Sequence, residues 1–379
     1  MTNPTILTNA RLVLPNQVIE GTLVMDGTTI RSVTPGRSSV PSALDMDGDF
    51  LIPGVVDVHT DNLERQVQPR SNARWPSRSA LLAHDQQCAG AGVTTVLDAL
   101  CLGDLGFDKD RLRTFREGVV DLDAMAGTGL LKSEHFLHLR CEMPAKDVLE
   151  LVEPVADHPM VRMVSLMDHS PGFGQYASLE HYRMTRRKDG HSDAAIERQI
   201  ADLTEQRGRL RAPNRAALLE RFAGLDVVMA SHDDETEAEV LENYADGIRI
   251  SEFPVTLAAA EVARRHGMGV IAGAPNIVRG GSHSGNVSAA DLVRSGAANA
   301  LASDYVPAAL VEAAFLCARD VGITLPQAVA MISDTPAAMA SLTDRGRLET
   351  GLRGDVVRVR VHDGLPVVRQ VWRAGERVA

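Results

Sequence analysis

The chain of 379 residues carries 44% hydrophobic and 23% charged residues and a formal net charge of −11. Those proportions allow a large core and exclude a disordered polyelectrolyte, while the acidic balance weighs against nucleic acid and anionic membranes as partners. No run approaches the roughly 18 uninterrupted apolar residues of a membrane span, and four scattered cysteines (Cys88, Cys101, Cys141, Cys317) fit a reducing compartment, so a cytoplasmic location is expected.

Residues 1–50 read as short strands, Ile6–Leu14, Gly21–Met25 and Thr29–Val33, with turns at Asp26-Gly27 and Pro35-Gly36. The same texture returns at the other end in Asp355–Val361 and Pro366–Trp372. Both ends, 1–50 and 344–379, are therefore expected to build one small β-sandwich around a central unit at 51–343. That central unit alternates strand-like and helix-like segments. Its eight strand-like runs are Leu51–His59, Val93–Leu100, His135–Glu142, Val161–His169, Asp226–His232, Gly247–Phe253, Gly269–Pro275 and Ala298–Asp304. Most are continuous apolar runs, as strands buried on both faces must be. Eight βα units predict an α/β fold of the (β/α)8, TIM-like barrel type.

Active sites of such barrels lie at the C-terminal ends of the strands, and polar residues recur there. Strand one ends in His59-Thr60-Asp61, strand three in His138-Leu139-Arg140-Cys141-Glu142, strand four in Asp168-His169, strand five in His232-Asp233-Asp234, and strand eight in Ser303-Asp304. Period-two alternation puts His59 with Asp61 on one face, and His138, Arg140 and Glu142 on another. Any one of these alone reads as a hydrogen-bonded structural residue or a helix cap. Five strand ends bearing such residues read as a site for one or two divalent metals, zinc first and manganese next.

The segment Gly273–Asn286 after strand seven is rich in small residues and contains Arg279 and His283. Backbone N–H groups in such a loop can approach a phosphate, although a plain flexible connection has the same composition. Residues 176–221 form a long, basic and helical insert. Arg183, Arg186, Arg187 and Lys188 are its members nearest strand four in sequence, hence its candidates for meeting a polyanion; a solvated helical face is the plainer reading.

The run Pro53-Gly54-Val55-Val56-Asp57-Val58-His59-Thr60-Asp61-Asn62-Leu63 resembles the amidohydrolase superfamily, with Asp61 where a second histidine usually stands. Taken with His135–Glu142, Ser165–Gly172, Ala230–Asp234 and the Gly273–Asn286 loop, the chain resembles one family throughout its length. That family is the diphosphatase of the carbon–phosphorus lyase pathway for phosphonate breakdown. The resemblance implies hydrolysis of a ribosyl triphosphate, α-D-ribose 1-methylphosphonate 5-triphosphate, with release of pyrophosphate.

It further implies that His59 and Asp61 hold a first metal, His169 and His232 a second, and Glu142 a bridging position. Asp304 would be a ligand that also takes the proton of the attacking water. Asn62, Arg70, Arg140, Arg183, Arg279 and His283 are then the expected substrate contacts. Four positions depart from the family pattern near the substrate: Gly174, Ser71, Arg186 and Val306. The rival activity is hydrolysis of a C–N bond, by an amidase, deacetylase or deaminase acting on another small anion. The expected partner is a small phosphorylated sugar, with neither nucleic acid nor membrane, and self-association is left open.

Overall fold

The computed structural model describes residues 4–70, 73–106, 109–281 and 286–379, the side chain of Lys109 apart. Strands β1 (Thr5–Val13), β2 (Val18–Asp26) and β3 (Thr29–Pro35) form an antiparallel meander, and β4 (Leu44–Asp45) and β5 (Phe50–Pro53) pair parallel with β1. The first barrel strand, β6 (Val55–Thr60), follows β5 after a single residue. The run expected as one strand, Leu51–His59, is thus two strands in two sheets. Gly54 makes the crossing: a Cβ there would stand 2.3 Å from Thr94 Oγ1 and 2.6 Å from Asp355 Cβ.

The barrel then runs β6, α1 (Asn62–Val67), α2 (Ser77–Gly90), β7 (Val93–Leu102), α3 (Lys109–Met125), β8 (Glu134–Glu142), α4 (Val148–Val152) and β9 (Val161–Met167). The basic insert follows as α5 (Leu179–Lys188) and the 30-residue α6 (Asp193–Phe222). Next come β10 (Val228–His232), α7 (Glu237–Ala245), β11 (Ile250–Glu252), α8 (Leu257–Arg265), β12 (Gly269–Gly273), α9 (Ala274–Val278) and β13 (Ala300–Ala302). Strands β6 to β13 pair in sequence order, all parallel. The expected α/β barrel is present. Every residue of β7 is buried, as its apolar and β-branched sequence requires. Val56, Val58, Leu97, Met163, Ala230, Ile250 and Ile271 fill the interior, while a larger apolar layer packs the helices on the outside.

The closing strands, β14 (Val356–His362), β15 (Leu365–Arg373) and β16 (Glu376–Arg377), extend the N-terminal sheet through β14 on β5. One mixed sheet therefore unites both termini, and Leu7, Leu12, Leu23, Leu51, Val356 and Trp372 form its core. Trp75 is 55% exposed. The four cysteines are buried and free. Among the described residues, no helix is long and apolar enough to cross a membrane.

Between barrel and helices lies a buried ionic network. Asp98 contacts His84 Nε2 and His135 Nδ1, both at 2.7 Å, and His135 Nε2 lies 3.2 Å from Asp85. Asp85 also accepts from the Lys132 and Ser133 backbones. Burial alone would depress the His135 pKa, but the Asp98 carboxylate and the Asp85 bond lift it from 6.5 to about 9. A raised folded-state pKa contributes stability that is complete below about pH 6.5 and lost as pH rises through about 9. The melting temperature is expected to fall over that window in the native chain, and to fall less steeply in His135→Gln, which starts several degrees lower. Calorimetric scans at stepped pH check this; parallel slopes would remove His135 as the titrating group.

Candidate metal centre

The pairing of β6 with β7 slips between Asp57 and Thr60, so Val58 packs in the interior while His59 still reaches the mouth, against His138 and Phe253. Beyond three other strands a non-glycine residue adopts the left-handed conformation: Asp233 (φ 58), Phe253 (φ 54) and Asp304 (φ 55). Each donates its N–H to the next strand, to Glu252 O at 2.9 Å, Ile271 O at 2.9 Å and His59 O at 3.0 Å. A side chain in that conformation costs about 1–2 kcal/mol and persists where surroundings enforce it. Here the repeated turn swings Asp233, Phe253 and Asp304 into the wall of one cleft of about 350 Å³.

His59, Asp61, Arg140, His169, His232 and Asp304 all line that cleft, as the strand-end pattern anticipates. Ligand atoms of His59, Asp61 and Asp304 lie within 4.8 Å of one another, and so do those of His169, His232 and Asp233. Glu142, the expected bridge, faces His169. Its Oε1 accepts from the His169 backbone at 2.8 Å and its Oε2 lies 2.6 Å from His169 Nδ1, so both oxygens serve that histidine.

Several expected substrate contacts lie elsewhere. Asn62 is buried with its amide turned to His84 Nδ1 (2.9 Å) and Gln87 (3.2 Å). Arg183 is engaged by Glu197 through two bonds and does not line the cleft. Arg70 and Arg279 are exposed and outside the lining, and His283 and Ser71 fall outside the described residues. Of the insert's other candidates, Arg186 pairs with Asp189, and Arg187 with Asp193 and Glu180. The insert instead approaches strand four through Arg207 and Arg211, whose Nε atoms lie 2.7 and 3.2 Å from Asp168.

Two residues, Arg111 and Glu252, escaped the sequence reading, and a third, Asp233, stood at its strand end without an assigned role. Arg111 of α3 lines the cleft, with Nε on Glu64 at 3.2 Å. Asp233 stands between His169 Nε2 (3.8 Å) and His232 Nδ1 (3.2 Å). Glu252, wholly buried at the end of β11, lies 2.8 Å from His59 Nδ1. A lone glutamate inside a doubly buried strand was the available signal.

Electrostatically the centre is short of cations. Burial, then the neighbouring Asp61, pushes the Asp304 carboxyl up to about 6. Burial opposes ionisation of Asp61, Asp233 and Glu252 too, yet each is held below the usual carboxylate range: Asp61 by Arg140, Asp233 by His232, Glu252 by His59. Burial lowers His59, but Glu252 and Asp61 together outweigh it and the ring rises to about 10. Three imidazoles facing this many carboxylates fit a divalent cation, which competes with protons for the same atoms. The buried Nδ1 of His232, which faces the Asp233 carboxylate at 3.2 Å, fits it too.

Comparison with known proteins gives a match over the whole chain. It is 41% identical over 376 residues to the alpha-D-ribose 1-methylphosphonate 5-triphosphate diphosphatase of Escherichia coli (strain K12), spanning 98% of this chain and 100% of that one. A solved amidohydrolase superposes with TM-score 0.61 at 14% identity, over 99% of this chain and 98% of the other. The N-acetyl-D-glucosamine-6-phosphate deacetylase of Mycobacterium smegmatis does so with TM-score 0.63 at 17% identity, over 99% and 100%. No family model matches.

Gly174, one of the departures from the family pattern, sits at φ 51 with its missing Cβ 3.2 Å from Asp233 Cβ. Gly174→Ala should lower stability by about 1–2 kcal/mol, from the left-handed backbone alone. Denaturant titration measures it, and an unchanged midpoint would show that this loop relaxes freely.

Proposed function

Because the chain belongs to the alpha-D-ribose 1-methylphosphonate 5-triphosphate diphosphatase family, we propose that its cleft hydrolyses the α–β anhydride of that ribosyl triphosphate, leaving the 5-phosphate and releasing pyrophosphate. The 41% identity over essentially the whole chain carries this reading. The two ligand clusters, with Arg140 and Arg111 in the same wall, support it.

His59, Asp61 and Asp304 would hold one divalent cation and His169, His232 and Asp233 a second, zinc first by the chemistry of the donors and manganese next. Bound there, the cation supplies Lewis acidity, neutralising phosphoryl charge and lowering the pKa of the attacking water. Glu142 orients His169 through Nδ1, leaving Nε2 toward the cleft. Asp304, at the end of the last barrel strand beside His59 and Asp61, suits a group that accepts the proton of the attacking water and returns it to the leaving pyrophosphate. Arg140, 2.6 Å from Asp61, and Arg111 add fixed positive charge where the triphosphate enters. A cytoplasmic setting fits this substrate.

The deciding experiment follows pyrophosphate and ammonia separately while metal-loaded protein meets ribosyl triphosphates and a cyclic-amide panel. Ammonia without pyrophosphate would replace this reading with C–N hydrolysis. Asp304→Asn should lose about 10²–10⁴ in kcat while largely keeping its metal; loss of both together would make Asp304 chiefly a ligand. Arg111→Ala should lower kcat/KM roughly ten- to a hundredfold, the worth of one charge-assisted phosphate contact. Wild-type efficiency in that variant would return Arg111 to the surface.

A further inference from the structure

We propose that Glu252 is the positioning residue of His59, fixing the imidazole so that Nε2 faces the cleft; this rests on the reading of His59 as a metal ligand. Glu252 is 0% exposed, and burying an ionised carboxylate is costly unless its lone pairs are met. They are met here on both oxygens. Oε1 lies 2.8 Å from His59 Nδ1, and Oε2 accepts from Ser165 Oγ at 2.8 Å. Ser165 Oγ also contacts His138 Nε2, and His138 Nδ1 donates to Val58 O at 2.9 Å. The contacts form a loop across the barrel interior, leaving β6 at Val58, passing β8, β9 and β11, and returning to β6 at His59.

An imidazole has two nitrogens, and a carboxylate on one decides what the other offers. With its proton on Nδ1 toward Glu252, His59 presents the Nε2 lone pair, 3.6 Å from Asp61 Oδ1, to the cluster with Asp304. Ring rotation is blocked on two sides, by Phe253 at 4.9 Å and His138 at 5.2 Å between centroids, both edge-on. Glu252 Oε2 stands 3.9 Å from His232 Nε2, near enough to suggest a ligand instead. Both of its oxygens are already occupied by protein donors, which places it behind the ligands.

The test compares Glu252→Gln, Glu252→Ala, Ser165→Ala and His59→Ala as full-length proteins, stripped of metal and titrated with zinc against a chelator of known affinity. Glutamine keeps an acceptor for His59 and gives Ser165 an N–H, freeing that hydroxyl to donate to His138. Glu252→Gln should therefore bind zinc within a few-fold of the native chain. Glu252→Ala should lose roughly 10–100-fold in affinity, the usual worth of such a partner, with stoichiometry restored at saturating zinc. Its kcat for pyrophosphate release should recover under the same saturation. Ser165→Ala, which removes no charge, should show a smaller loss and stands in if the alanine variant at 252 does not fold.

Native affinity in Glu252→Ala, with affinity lost in His59→Ala, overturns the positioning role alone. So does a missing equivalent of zinc at saturation in both Glu252 variants, which would make Glu252 a ligand. Native affinity in His59→Ala overturns this inference together with the metal reading beneath it.

Discussion

The barrel closes through two main-chain hydrogen bonds, and both lie at the site. Asp304 donates its N–H to His59 O at 3.0 Å, and Asp61 donates to Asp304 O at 2.6 Å. Together they make the Thr60–Asp304 bridge between the first and last barrel strands, which are far apart in sequence, and the Ser303 N–H adds a bond to Asp57 Oδ1 at 3.1 Å. Closure and assembly of the His59–Asp61–Asp304 cluster are one event: the chain cannot shut the barrel without bringing these side chains together. The geometry of the centre follows from strand pairing, and rigid sheet elements hold it more precisely than loops do.

Charge is the second constraint. A barrel interior that accepts Glu252, Asp61, Asp233 and Asp304 must supply positive partners or hold protons. The protein supplies Arg140 at Asp61 and imidazoles elsewhere, a donor set that a divalent cation would complete. Outside the barrel the same rule is met differently. Asp98 is satisfied by two histidines and Asp85 by one histidine and two backbone amides, so that network is closed on itself. Ligand clusters and structural clusters draw on the same residue types; what separates them is whether the protein already meets every lone pair.

The sequence made the barrel legible because doubly buried strands are continuous apolar runs and their polar ends are abrupt. His59, Asp61, His169, His232 and Asp304 stood out for that reason. Glu252 did not, since one glutamate in a three-residue strand has no neighbours to form a pattern. Asp233 was visible but lay in a run of acids, and its selection depends on a left-handed turn that sequence does not announce. Arg183 was favoured by nearness along the chain, yet α6 is long enough to carry the contacting arginines, Arg207 and Arg211, well downstream. Glu142 stood out at its strand end, while the turn of its carboxylate toward His169 is not announced by sequence. The single run Leu51–His59 hid two strands because the Pro53-Gly54 break is only one dipeptide long and apolar residues continue on both sides of it.

The crossing at Gly54 also orders events in time. Its N–H donates to Asp355 O at 2.9 Å, and β5 just before it pairs with β14. On a ribosome, β5 and β6 emerge early and wait for a partner made near the end of synthesis. Until then β5 presents an open sheet edge, the kind of surface that recruits foreign strands. The stretch carrying His59 is therefore among the earliest made and among the last secured, and its dependence on chaperones should be greatest while the final strands are still unbuilt.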